Sequence, residues 1–278
     1  HGTDKGRLKQ MSKKFVLLSD LHAHTWSAFA TGDGLRNSRL RRSLDILEAS
    51  LRRAQTEPCP WVFAGDLSHT AGYVDDEVLA GVTEVLARFR DVEKLVVWGN
   101  HDAGNRRASI SVEQTIFAAM VYVTKMIVLD PSLTHGGIVE AGGILFSGAG
   151  YQPKRGLLRF AEPSDVGVYH QTVRGARAAN GFVLEEGIDP EELLNRHKLS
   201  VVGHIHHPQE LPAPGGRILV PGSPEHHNFG DDGTHGWWVV PVHTARELGE
   251  LEFVPGGSPE FRTVDTPTDI QKDGHFYR

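Results

Sequence analysis

Four short stretches of this chain place metal-binding side chains side by side where an apolar run has just ended. Phe15-Val16-Leu17-Leu18 runs into Asp20 and His22, Trp61-Val62-Phe63-Ala64 into Gly65-Asp66, and Leu95-Val96-Val97-Trp98 into Gly99-Asn100-His101-Asp102. Leu199-Ser200-Val201-Val202 runs into Gly203-His204-Ile205-His206, and Val166-Gly167-Val168-Tyr169 ends on His170 in the same manner. Asp20 and His22 are two apart, as are His204 and His206, so on extended backbone the members of each pair point the same way and can share one ion. Asp66 adds a carboxylate and Asn100 a neutral oxygen. Mixed imidazole and oxygen donors suit borderline divalent ions such as Mn²⁺, Fe²⁺ or Zn²⁺ better than Ca²⁺ or Mg²⁺.

The elements that must position these groups follow from periodicity. The apolar runs are too short for buried helices and read as strands. Between the first and second, Leu40, Leu44, Leu47 and Leu51 mark one face of a helix over 38–54 whose arginines point outward. Between the second and third, Val78, Val82, Val85 and Phe89 mark another. Strand-helix-strand-helix-strand implies a parallel sheet with crossover helices. After a helix over 112–120 the pattern turns to short strands at 126–129, 137–139, 144–146, 166–169, 199–202, 218–220, 237–242 and 251–254, with a brief helix at 190–196. The architecture expected is α/β, two mixed sheets packed face to face with helices outside. In such sheets ligands sit beyond the carboxyl ends of the strands, where the polar groups fall.

Composition narrows the function. The 278 residues are 39% hydrophobic and 23% charged, a profile able to bury a large core. A formal charge of −6 excludes a broadly basic coat for nucleic acid, though not a local groove. One cysteine, Cys59, excludes an intramolecular disulfide and fits a reducing, cytoplasmic setting. No apolar run reaches membrane-spanning length. Residues 1–10 read as an appended tail ahead of Met11, and 11–278 as a single domain with no separate capping domain.

The ordered set Asp-x-His (20, 22), Gly-Asp (65, 66), Gly-Asn-His-Asp (99–102), a lone His and Gly-His-x-His (203–206) resembles the calcineurin-like metallophosphoesterase superfamily, over nearly the whole chain from Phe15 to beyond His206. The resemblance implies a four-layer α/β/β/α sandwich and two divalent ions, Mn first, with Fe and Zn as alternatives. One ion would be held by Asp20, His22, Asp66 and His206. The other would take Asp66, Asn100, His204 and a further histidine. Asp66 would bridge them, each carboxylate oxygen meeting one ion of a pair about 3.5–4 Å apart. Of His135, His170 and His197, only His170 repeats the strand-then-ligand pattern; the other two read as surface histidines. His101 would contact the scissile phosphate rather than metal, with Asp102 orienting its ring or serving as a turn residue.

Three segments resemble the SbcD-type repair exonucleases within that superfamily. Gly65-Asp66-Leu67-Ser68-His69 carries a second histidine implied to touch substrate phosphate. Val168-Tyr169-His170-Gln171 resembles their His-Gln strand end, and 203–209 with Val220-Pro221-Gly222-Ser223-Pro224 their final motif and turn. The activity implied is DNA phosphodiester hydrolysis by water activated between the ions, as a 3′ to 5′ exonuclease, a single-strand endonuclease or both. The alternatives are a small-nucleotide phosphodiesterase or phosphatase, and an inactive binding scaffold. Arg106, Arg107, Arg174 and Arg177 are candidate contacts to a DNA backbone, while Arg39, Arg41 and Arg42 read as a solvated helix face. An SbcC-like ATPase partner and a homodimer are compatible with the branch, but the capping segment usual there is missing. His24, His207, His226, His227 and His235 receive no role and read as surface residues.

Overall fold

The computed structural model describes residues 13–31, 37–104, 110–133, 137–154, 158–178, 180–213, 215–231, 233–244 and 247–278. In chain order these form β1 (Lys13–Leu18), α1 (Ser38–Thr56), β2 (Trp61–Phe63), α2 (Asp76–Arg88), β3 (Lys94–Val96), α3 (Phe117–Thr124) and β4 (Met126–Val128). There follow β5 (Val139–Ala141), β6 (Ile144–Ala149), β7 (Ser164–His170), α4 (Pro190–Leu194), β8 (His197–Gly203), β9 (Gln209–Ala213) and β10 (Gly216–Val220). The last part holds β11 (Gly236–Thr244), β12 (Glu247–Leu248), β13 (Glu252–Pro255), β14 (Phe261–Arg262) and β15 (Phe276–Tyr277).

The first sheet runs β12-β11-β1-β2-β3-β4, with β13 also on β11; the second runs β5-β6-β7-β8-β10-β9. Strands β1 to β4 are mutually parallel and β11 joins them antiparallel. In the second sheet β6, β7, β8 and β10 are parallel, and the outer strands β5 and β9 run antiparallel. Both sheets are therefore mixed. Among the described residues no helix is long and apolar enough to cross a membrane.

The two-residue alternation of strands builds the layers. On β1, Val16 and Leu18 pack under α1 and α2 with Leu40, Leu44, Leu47, Leu51, Val78, Val82 and Val85. Phe15 and Leu17 face the other way and meet Phe146, Val166, Val168, Leu199 and Val201 of the second sheet. Beyond that sheet, Leu193 and Leu194 of α4 cover Tyr169, Val202 and Ile218. The sandwich is thus four layers, as expected.

The departures have identifiable causes. The helix expected at 112–120 divides into a short 3₁₀ turn, Val112–Gln114, and α3, which begins three residues later and ends at Thr124. Strand β9 escapes a sequence reading because Pro212 interrupts it; it lies at a sheet edge, where a missing N–H is tolerated. Arg39 does not face solvent: it is 3% exposed, its guanidinium carbon 5.0 Å from the Trp26 ring and 5.3 Å from that of Phe261. His197 is no surface group either. It opens β8 and is buried, with Nε2 2.7 Å from the Tyr169 hydroxyl and Nδ1 3.1 Å from Ser164 Oγ. His226, His227 and His235 are likewise buried. His135 lies outside the described residues.

Candidate metal centre

Every polar stretch named from the sequence falls just past, or on the last residue of, a parallel strand: 20–22 after β1, 65–66 after β2, 99–102 after β3, His170 ending β7, and 204–206 after β8. The loops carrying them are pinned by backbone bonds that extend the ladder. Asp20 N–H donates to Gly65 O and His22 N–H to Asp66 O, at 2.9 and 3.0 Å. The two sheets contribute side by side, because His204 N–H donates across the seam to the Asp20 carboxylate at 3.1 Å.

The side chains converge in three groups, the ligand atoms of each lying within 4.8 Å of one another: Asp20 with His22 and His206, Asp66 with His170 and His204, and His22 with His69 and His101. His22 and His206 bring their Nε2 atoms to 3.0 Å. Asn100 Oδ1 lies 2.9 Å from His204 Nδ1 and 3.3 Å from His170 Nε2. Asp66 Oδ2 faces the first two groups, 3.6 Å from His22 Nε2 and 3.3 Å from His170 Nε2. Its Oδ1 accepts the His101 N–H at 2.8 Å. Asp66 therefore stands between the two groups and would be the carboxylate common to both ions.

The paired ligands do not sit on extended backbone. Asp20, His22, Asp66 and His204 have φ of 51°, 47°, 59° and 99°, all in the left-handed region. Outside glycine such backbone is sparse and gathers at functional sites. Each pair is aimed by a kinked loop, not by strand alternation. Glycine works here by close approach: a Cβ on Gly99 would lie 1.9 Å from Asp66 Oδ1, and one on Gly65, itself at φ +96°, 2.3 Å from His170 Nδ1.

Asp102 does not orient His101. Its Oδ2 accepts the N–H groups of Asp66 and Gly99 at 2.8 Å each, and its Oδ1 those of Leu67 and Ser68 at 2.8 and 3.2 Å. It braces the second loop against the third. The His101 ring is instead set by its Nδ1, which donates to the His69 carbonyl. Likewise His170 Nδ1 donates to Ala64 O at 2.6 Å, which turns Nε2 toward Asp66 and Asn100. Such backbone partners fix the tautomer and aim of a ligating imidazole.

The donor set fits divalent cations. Asp20 and Asp66 are buried, and among the described residues neither forms an ion pair with Lys or Arg. Burial pushes Asp20 up, whereas for Asp66 the opposing pull of His170 wins and holds the carboxyl well below its ordinary range. Burial drives His204 down to about 4 and His22 far down, leaving neutral imidazoles with free lone pairs at pH 7. His170 is the exception: Asp66, outweighing burial, pushes it up to about 9, and it would give up that proton to ligate an ion, so that two buried carboxylates and the surrounding imidazoles make a donor set suited to a divalent cation.

Not every sequence candidate reaches this cluster. Arg174 is exposed and paired with Asp189, and Arg177, also exposed, is tied through its backbone to Gln209. Arg106 and Arg107 lie outside the described residues. Three further side chains border the site; Tyr151 falls in a segment that the sequence places near the substrate, whereas Trp26 and His227 were passed over. The Tyr151 ring stands 5.8 Å from His204, Trp26 4.4 Å from His69, and His227 5.1 Å from His22 and 5.3 Å from His206. His227 is buried with both ring nitrogens unpartnered. Its one signal was position, in the loop beyond the carboxyl end of β10, which runs parallel to β8.

Comparison with known proteins agrees with this geometry. The fold is similar to a dimetal phosphatase from Danio rerio, at 13% identity and a TM-score of 0.50, over 84% of this chain and 93% of that one. It is also similar to a candidate 5′-nucleotidase from Staphylococcus aureus solved with α-ketoglutarate, at 13% identity and a TM-score of 0.51, over 95% of this chain and 56% of that one. This chain therefore spans about half of the staphylococcal protein. No curated protein sequence matches significantly. The sequence profile of the calcineurin-like phosphoesterases matches residues 13–208, a span that contains all five polar strand ends, and the chain belongs to that family.

Proposed function

We propose that this chain is a two-metal phosphodiesterase that cleaves DNA, as a 3′ to 5′ exonuclease, a single-strand endonuclease or both. The observation that carries the reading is the third imidazole group, in which His69 and His101 stack at 5.3 Å and 21° beside the ligand His22. A diester offers two kinds of oxygen to be recognised, the departing ester oxygen and the non-bridging pair. Two imidazoles standing outside the ligand set serve both.

Asp20, His22, Asp66 and His206, and Asp66, Asn100, His170 and His204, would hold two divalent ions, which would supply Lewis-acid charge to phosphoryl oxygens and make water acidic enough to attack near neutral pH. Mn²⁺ is the ion to load first. In this assignment His101 acts as the imidazolium, its Nδ1–H held by the His69 carbonyl and its Nε2–H given to the departing oxygen, which leaves the ring neutral. His69 hydrogen-bonds a non-bridging oxygen. The spacing Gly65-Asp66-x-x-His69 and the His170-Gln171 strand end support the SbcD-type branch. An SbcC-like ATPase and a cytoplasmic setting belong to the same reading.

The alternative reading is a phosphatase or small-nucleotide phosphodiesterase acting with the same residues of this chain; the fish protein is named a phosphatase and the staphylococcal one a nucleotidase. Mn²⁺-loaded protein and end-labelled single- and double-stranded DNA separate the two, with bis(p-nitrophenyl) phosphate as a small diester. Cleavage of DNA is expected. Intact DNA beside rapid hydrolysis of the small ester would refute the nuclease assignment.

A further inference from the structure

The edge of the molecule next to His69 is lined with aromatic rings that the metal centre does not use. Trp26 lies against His69 and, at 4.7 Å, against His24. Tyr73, 66% exposed, shares a notch with His24 and His69. Phe29, 42% exposed, stacks on Phe276 with centroids 4.8 Å apart and planes 29° off parallel. Arg39 closes the row from below, its guanidinium carbon 5.0 Å from Trp26 and 6.0 Å from Phe276. Contacts therefore run unbroken from His22 through His69, Trp26, Arg39 and Phe276 to Phe29.

Exposed aromatic rings gain little from water, and Phe29 is held toward it at φ 59°, a backbone region that bulky side chains rarely adopt. What matches such a row is a chain that carries one flat apolar group per phosphate. In a duplex those groups are stacked on each other and closed to the protein; in a single strand both faces are open. We propose that the rim formed by Trp26, Phe29 and Tyr73 is a stacking site for unpaired bases of a single-stranded nucleic acid whose scissile phosphate lies at the metal cluster. This deepens the DNA phosphodiesterase reading and rests on it.

The test compares two hydrolysis-resistant phosphorothioate probes in Mn²⁺ by fluorescence anisotropy: a labelled dT12 and an abasic deoxyribose-phosphate chain of equal length. Phe29→Ser with Tyr73→Ser should weaken dT12 by roughly 30-fold or more, the loss of two stacking contacts at the low end of their strength. Binding of the abasic chain and hydrolysis of bis(p-nitrophenyl) phosphate should stay unchanged, and Phe29→Tyr, which keeps a π face, should bind dT12 as the parent does. Equal loss on both probes, or loss on neither, overturns the proposal. Rim-dependent binding of dT12 without cleavage of DNA would refute the nuclease reading and keep the stacking site. Cleavage and dT12 binding indifferent to both substitutions would do the reverse.

Discussion

Replacing Asp102 by Asn changes no volume and removes one acceptor oxygen, which makes it the sharpest probe of what that buried carboxylate does. The carboxylate accepts four backbone N–H groups, two on each oxygen. An amide has one oxygen, so its NH₂ must face either the Asp66 and Gly99 donors or the Leu67 and Ser68 donors. Two buried backbone N–H donors are left without an acceptor, each costing about 1–3 kcal/mol, in a place too buried for water to substitute. The expected loss is about 2–6 kcal/mol. It falls on the loops that carry Asp66 and Asn100, so affinity for divalent ions should drop by about 10- to 100-fold. Urea denaturation with and without Mn²⁺, together with metal content after dialysis, measures both. If D102N kept its stability and its metal and lost turnover alone, Asp102 would belong with His101 in proton transfer and the bracing role would be wrong.

Other substitutions divide the site by role. His101→Ala should abolish turnover while metal content stays near two ions, whereas Asp66→Asn, which removes the charge standing between the two ligand groups, should lose metal; equal metal loss in both would erase the distinction between the two roles. His69→Ala should slow cleavage of DNA more than that of a small activated ester, and equal slowing would remove its substrate role. Away from the site, burial holds His197 down at about 4, against an ordinary 6.5. Its neutral form is the one folded into the Tyr169 and Ser164 bonds, so its contribution is complete above pH 6.5 and declines as pH falls toward 4, by about 3 kcal/mol. In His197→Gln the acid limb of stability should flatten through that window, and an unchanged limb would show that the proton goes elsewhere.

Much of this was legible in the residues because a parallel sheet imposes a place for chemistry. Once Phe15–Leu18, Trp61–Ala64 and Leu95–Trp98 read as strands, Asp20, Asp66 and Asn100 had to share one edge. His170 was separable from His197 by the same rule, since one ends its strand and the other begins it. What stayed hidden depends on the third dimension. Periodicity says which face of α1 is apolar, but not that Arg39, at its first turn, would be covered by aromatic rings from the distant segment 261–276. The φ values of Asp20, His22 and His204 come from loops pinned to neighbouring strands, which spacing along one strand cannot reveal. That Asp66 Oδ1 is taken up by a backbone N–H, leaving Oδ2 to face His22 and His170, depends on His101 of another loop.

The seam between the sheets gives the protein a second use for whatever binds there. Asp20, His22, Asp66 and Asn100 hang from the first sheet, and His170, His204 and His206 from the second. A ligand gripped by both groups exists only while the halves are docked, so its binding free energy is added to the free energy of folding by mass action, about 2.7 kcal/mol at a hundredfold excess over Kd. The melting temperature of this chain should therefore climb with the logarithm of divalent-ion concentration and fall on chelation. That makes a thermal scan a ranking of candidate ions, with no substrate needed.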